Sequence, residues 1–281
     1  MEHILYPCLW FDGNAKQAAE FYNQVFDDSR IISASPIVVM FELEGKKFMG
    51  LNGGPHFKIN PSISFFVLGE SQEEINRKWE MLIKDGKVLM PLMKYPWNES
   101  YGWCQDQFGV SWQLMMGRFD NLKDKIIPSL MFTQSNAGKA EEAMQFYCKV
   151  FAHSSILEIN RYAKGEGEEE GLIKHARFIL EDQPFTILES TGPHPFTFNE
   201  AISWVVECDS QDQIDRFWTL LTEGGKESMC GWLKDRYGVS WQIVPKILKT
   251  LLADPAKAPK VTQAFMKMKK FDISALITAG E

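Results

Sequence analysis

Two glutamines stand at matching places in two copies of one phrase, "FGVSWQL" at 108–114 and "YGVSWQI" at 237–243. An amide on a strand can orient a bound molecule by hydrogen bonding, or it can be satisfied by neighbouring backbone, and Gln113 and Gln242 admit both readings. In a strand, side chains alternate between faces. Val110, Trp112 and Leu114 therefore share one face, and Ser111 and Gln113 share the other. If the glutamine faces a cavity, Trp112 belongs to the core.

Two histidines are also matched. His56 and His194 each follow Gly-Pro in "GGPH" and "TGPH". Imidazole titrates near neutrality and can act as acid, base or anion contact; a side chain fixed by its turn is the plainer reading and the one favoured here. Asp106 and Asp235 precede the turns "QFG" and "RYG", where turn-closing hydrogen bonds account for them. Phe21, Tyr22, Phe146 and Tyr147 lie at helical core spacing and are assigned to packing.

What must position these residues is a tandem repeat. Residues 57–79 and 196–218 share ten identities without a gap, and "GWCQDQFGVSWQL" shares eight with "GWLKDRYGVSWQI". "EFYNQVF" pairs with "QFYCKVF". The acidic "KGEGEEEG" (164–171) and "MPLMKYPWNES" (90–100) interrupt the match and read as exposed hairpin tips or rim loops. Within each half the hydrophobic period switches between about 2 and 3.6 in the order β-α-β-β-β, twice. The chain thus holds four βαβββ modules, an α+β fold. Domains are expected at 1–120 and 121–246, with a helical C-terminal tail at 247–281.

The apolar share of 45% supports full cores, and no apolar run reaches the roughly 20 residues that span a bilayer. The first residues carry no secretory signal pattern, so a cytoplasmic location is expected. Five cysteines without a CxxC pair read as reduced, mostly buried thiols. A net charge of −7 argues against nucleic-acid binding.

With "PCLWFDGNAKQAAEFY", "LNGGPHF" and "GWCQDQFGVSWQL" in order, the chain resembles the PhnB-like branch of the vicinal oxygen chelate superfamily, which includes glyoxalase I and bleomycin-resistance proteins. The resemblance covers about residues 4–116 and 126–246. It implies curved mixed sheets of paired modules with helices on the convex side. Members often bear the name 3-demethylubiquinone-9 3-methyltransferase. The chain's glycine cluster, "GEGEEEG", lies among carboxylates without the strand and helix that hold an adenosyl cofactor, so that activity is unsupported.

The resemblance also implies a divalent metal held by four strand residues on the concave face. Its ligand positions fall on Pro7 and Pro128, Gly50 and Ile187, Ser62 and Ala201, and Gln113 and Gln242. One neutral amide per half cannot hold a catalytic metal, so neither metal nor cofactor is expected. The cup would be lined by Leu9, Phe48, Asn52, Ser62, Ser64, Phe66, Ser111 and Gln113 in the first half. In the second the lining would be Leu130, Phe185, Glu189, Ala201, Ser203, Val205 and Gln242, with Trp97, Trp103 and Trp232 as rims. His56 and His194 complete the candidate site; no catalytic residue is assigned.

The expected function is metal-independent binding of a small molecule, with an intrachain pseudo-dimer, a possible further homodimer, and no nucleic-acid or membrane partner. The alternatives are a superfamily enzyme such as a lyase, isomerase or dioxygenase-like protein, and a regulatory or scaffold protein.

Overall fold

The computed structural model describes residues 4–119 and 123–281. The first module comprises strand β1 (Leu5–Phe11), helix α1 (Ala15–Val25) and strands β2 (Ser29–Ala34), β3 (Val38–Leu43) and β4 (Lys46–Asn52). The second has β5 (Ile63–Gly69), α2 (Gln72–Leu82), β6 (Lys87–Tyr95), β7 (Asn98–Gln105) and β8 (Ser111–Met116). The third has β9 (Ile126–Phe132), α3 (Ala140–Val150), β10 (Ser155–Arg161), β11 (Ile173–Leu180) and β12 (Gln183–Glu189). The fourth has β13 (Ile202–Cys208), α4 (Gln211–Thr222), β14 (Lys226–Glu227), β15 (Trp232–Lys234) and β16 (Ser240–Pro245). The tail follows as α5 (Ile247–Ala253), α6 (Ala258–Phe265) and α7 (Ile273–Ala279). Four βαβββ modules and a helical tail are therefore present. Of the two readings for 90–100, hairpin tip and rim loop, the structure has the hairpin: β6 runs to Tyr95 and β7 resumes at Asn98.

Local chemistry repeats with the modules. The Ser71 hydroxyl accepts the Glu74 amide at the start of α2, while the Glu74 carboxylate reaches back to the Glu70 amide. Ser210 and Gln213 do the same for α4, the side-chain carbonyl of Gln213 taking the Asp209 amide. Each such box satisfies donors at a helix start and contributes about 1 kcal/mol. Between β3 and β4 the turn residues Glu44 and Gly45 both have positive φ, as do Glu181 and Asp182 between β11 and β12. Two successive left-handed residues match the twist of a tight hairpin and fix its register.

The chain divides into two compact units, Met1–Cys8 with Ser203–Glu281, and Leu9–Ile202. The first holds β13 parallel to β16, with β15 and β14 added antiparallel, and the three tail helices packed on one another. The second holds an eight-stranded mixed sheet in the order β10-β11-β12-β9-β5-β8-β7-β6. Its centre is the antiparallel pairing of β5 with β9, Ser64 opposite Ser129 and Phe66 opposite Ile127. This sheet joins the second module of the first repeat to the first module of the second. The repeat boundary expected at 120–121 lies outside the described residues, and hydrogen bonding continues across it in sequence from β5 to β9. Helix α2 covers β5, β7 and β8, and α3 covers β10, β11 and β12.

Candidate functional site

The two faces of the eight-stranded sheet are told apart by what they touch. Trp112 is fully buried with its ring 5.4 Å from Tyr22 of α1 and 5.2 Å from Phe26, on the helix side. A Cβ on Gly102 would meet Trp79 of α2, so that face of β7 is covered as well. Alternation then sends Tyr101, Trp103, Ser111, Gln113, Ser64 and Phe66 to the opposite, concave face. The curvature is directly visible there: Phe66 of β5 and His175 of β11, three strands apart, bring their rings within 6.2 Å.

On this face Gln113 is held at both ends. Its Oε1 accepts the Tyr101 hydroxyl at 2.6 Å, and its Nε2 donates to Ser64 Oγ at 2.7 Å. Trp103 Nε1 donates to Ser111 Oγ at 2.7 Å. The Tyr101 phenol is raised above its usual range by burial and then by Tyr95, so it stays a neutral donor. Next to Ser64 lies Ser129, fully buried, whose hydroxyl has no hydrogen-bond partner among the described residues. Register carries the same row onward through Thr186 and Arg177 to Glu158. The far end opens as a cleft of about 250 Å³ lined by Arg118, Phe119, Glu158, Asn160, His175 and Arg177. Burial, and secondarily Arg177, pushes the His175 imidazole down to about 4, leaving it neutral at pH 7. Glu158 is held below the usual carboxylate range by hydrogen bonds, first from Asn160 and then from Arg177.

In the other unit Ser203, Gln242 and Trp232 form a related group. Gln242 Nε2 donates to Ser203 Oγ at 2.9 Å, and Trp232 sits opposite Gln242 in register. Cys8 faces them, its thiol pushed up to about 12 by burial against weaker pulls from Gln242 and Ser203. Such a thiol is un-ionised and inert.

Six expected lining residues take the other face. Asn52 Oδ1 accepts the Ala15 amide at the start of α1, and Phe48 stacks on Phe41, which stacks on Tyr22 of α1. Glu189 caps α3 by accepting the Ala140 amide and also takes the Ile173 amide. Phe185 packs on Phe178 on that same face, and Leu130 alternates with Ser129. Leu9 alternates with Cys8. The metal-ligand positions Gly50, Ile187, Pro7 and Pro128 share this displacement; a Cβ on Gly50 would lie 3.1 Å from that of Ala15. The cause is a one-residue slip, which inverts every facing in a strand, and β1, β9 and β12 are buried on both sides. Ser62 is buried beside Ser64's strand start, its amide bonded to Asn60. His56 is exposed in a turn, and His194 is tied to Ser190 Oγ at 2.8 Å and tilted on Phe196. Trp97 is an exposed rim residue stacked on Tyr95.

The row across the sheet offers Ser64, Ser129, Thr186 and the amide of Gln113, and at its far end Glu158, whose carboxylate is paired with Arg177. These neutral hydroxyls and one amide do not fit a divalent cation, which needs imidazole, carboxylate or thiolate donors. Among the described residues Asp27, Glu44 and Glu74 could gather a cation at the start of α2. The same carboxylates already pair with Arg77, Lys125 and the fully buried Lys78.

The sequence model of the 3-demethylubiquinone-9 3-methyltransferase family matches residues 3–115 and again 124–244. The chain belongs to this family. Its two matched stretches are the two sequence repeats. Among solved structures the PhnB protein of Bacillus cereus is 35% identical, covering 40% of this chain and 98% of its own, with a TM-score of 0.38. Protein PA1353 of Pseudomonas aeruginosa is 23% identical over 40% of this chain and 96% of its own, TM-score 0.35. Glyoxalase I of Zea mays is 12% identical over 89% of this chain and 95% of its own, TM-score 0.59, a likeness of fold. No curated protein matches the chain. The family member's glycine cluster at 164–171 lies in the exposed loop between antiparallel β10 and β11, a setting unlike a nucleotide-binding turn. Among the described residues no helix is long and apolar enough to cross a membrane.

The cleft residues Arg118, Phe119, Glu158, Asn160, His175 and Arg177 escape a reading by repeats, because β5 and β9 from different repeats bring them to Gln113. One signal was available: "IKHARFIL" alternates, with Ala176 and Phe178 buried and His175 and Arg177 between them.

Proposed function

We propose that this family member binds a small molecule on the concave face of the β10-to-β6 sheet, without a catalytic metal. The observation that carries the reading is the unpaired, fully buried hydroxyl of Ser129 at the middle of that face. A buried polar group without a partner costs about 1–3 kcal/mol, a cost that a ligand's hydrogen bond would recover. The same face carries the groups typical of small-molecule sites: an apolar cluster of Phe66, Leu68, Tyr101 and Ile127, and a polar end at His175 and Arg177. The pairing of β5 with β9 supports the tandem as an intrachain pseudo-dimer, in which one cup takes strands from both repeats.

The test is mass spectrometry of compounds released when the purified full chain is denatured, repeated on F66A. One compound near equimolar ratio, lost in the variant, supports the reading. If nothing is released, and no aromatic or aliphatic acid from a library of small metabolites raises the melting temperature, the proposal fails.

A further inference from the structure

Phe119 follows β8 by three residues and turns its ring onto the concave face. There the ring lies 5.7 Å from Phe66 at 68°, and 5.8 Å from His175 at 42°. The Arg177 guanidinium carbon stands 5.1 Å from its centroid. One ring from a connector is thus held by an aromatic edge, an imidazole and a cation, drawn from strands of both repeats. That is the set of contacts by which proteins recognise a planar π-system. The ring is nevertheless only partly buried, with one side bordering the cleft of about 250 Å³.

The surroundings indicate what else the seat accepts. Two guanidiniums, Arg118 and Arg177, line the cleft; each is ion-paired, Arg177 with Glu158 and Arg118 with Glu70, and the five N–H donors of a guanidinium leave some for an incoming acid group. Asn160 adds an amide beside the Arg177–Glu158 pair. Ser129 lies two strands from Arg177 in the same row, about 10 Å at the usual strand spacing.

We infer that Phe119 is an internal occupant of the ligand's seat, and that the cup takes a planar aromatic carboxylate whose ring displaces Phe119 from between Phe66, His175 and Arg177. The inference rests on the cup being a ligand site. The acid group meets the guanidiniums of Arg118 and Arg177, and a substituent across the ring reaches toward the Ser129 hydroxyl. Binding then carries an intramolecular competitor: the competent state is the fraction with Phe119 withdrawn, and apparent affinity is reduced by that fraction.

The experiment titrates 4-fluorobenzoate, followed by fluorine NMR, into the full chain and its F119A, F119L and R177M variants, each confirmed folded by circular dichroism. F119A is expected to bind about tenfold more tightly than the wild type, with F119L between them, because the competitor is removed or weakened. R177M loses at least that factor, alone or combined with F119A, and 4-fluorobenzyl alcohol binds more weakly than the acid throughout. Equal affinity of wild type and F119A overturns the inference while leaving the cup as a ligand site. Absence of binding in every variant, with no compound released on denaturation, overturns both.

Discussion

The indole Nε1 of Trp112 donates to the Asp106 carboxylate at 2.8 Å, and Trp241 bonds Asp235 at 2.9 Å in the second repeat. The other carboxylate oxygen closes the turn in each case, taking the amides of Phe108 and Val110, or of Tyr237 and Val239. Tyr22 adds its hydroxyl to Asp106 at 2.8 Å. The phrase repeated in sequence is therefore a buried anchor that fixes the strand bearing Gln113 or Gln242, and it is structural.

Removing that anchor has a calculable effect. D106A leaves four donors facing a buried void, and breaking such a network costs about 3–5 kcal/mol. D106N keeps one acceptor but turns an amide donor toward another donor, so a loss of about 1–2 kcal/mol is expected. Urea unfolding followed by tryptophan fluorescence measures both. A change below about 0.5 kcal/mol in D106A would show that the carboxylate does not organise the turn.

The pH dependence of stability contains two opposed contributions. Burial raises Asp106 from 3.8 to about 6, against the pull of its donors, led by Trp112 and Tyr22. The folded state holds that proton longer, so its contribution is complete below 3.8 and is lost as pH rises through about 6. Burial lowers His175 from 6.5 to about 4, so its contribution is complete above 6.5 and is lost as pH falls through about 4. Each amounts to about 3 kcal/mol, and the two nearly cancel between pH 4 and 6.5. H175Q should therefore gain stability relative to wild type on acidification across this window, and D106N should lose it. Urea midpoints at pH 4.5 and 6.5 that shift in parallel for all three proteins would contradict the assignment.

How much of this was legible in sequence depended on whether alternation survived burial. The module order, the core role of Trp112 and the turn role of Asp106 were legible because two divergent copies repeat them. The facing of Leu9, Leu130, Phe185 and Glu189 was not, because β9 is buried at every residue and β1 and β12 at nearly every one. A strand covered on both faces shows no polar side to set its register. The cleft was illegible for a different reason. Spacing along the chain cannot show that β5, paired on one edge with β8 of its own half, takes β9 of the other half on its second edge.

The donor set on the concave face makes a prediction about metals. Because Gln113 is occupied by Tyr101 and Ser64 and its neighbours are hydroxyls, purified protein should hold well below one equivalent of zinc, nickel, iron or manganese. Treatment with a chelator should leave 4-fluorobenzoate binding unchanged. Stoichiometric metal by elemental analysis, with binding abolished on its removal, would show that other side chains converge there.

Ser129 separates stability from binding within one residue. Its hydroxyl is buried, unpartnered and flanked by Ser64 and Thr186 in register. S129A deletes the unpaired group and leaves only a small void, so the ligand-free protein should become more stable by about 1 kcal/mol. The same change removes a hydrogen bond from the bound state. For an aromatic acid with a hydroxyl para to the carboxylate, affinity should fall about five- to tenfold, while unsubstituted benzoate is nearly unaffected. Melting temperature and calorimetric titration of the two acids read these effects independently. A destabilised S129A that binds both acids as wild type does would place the hydroxyl in the packing of the sheet and outside the ligand's reach.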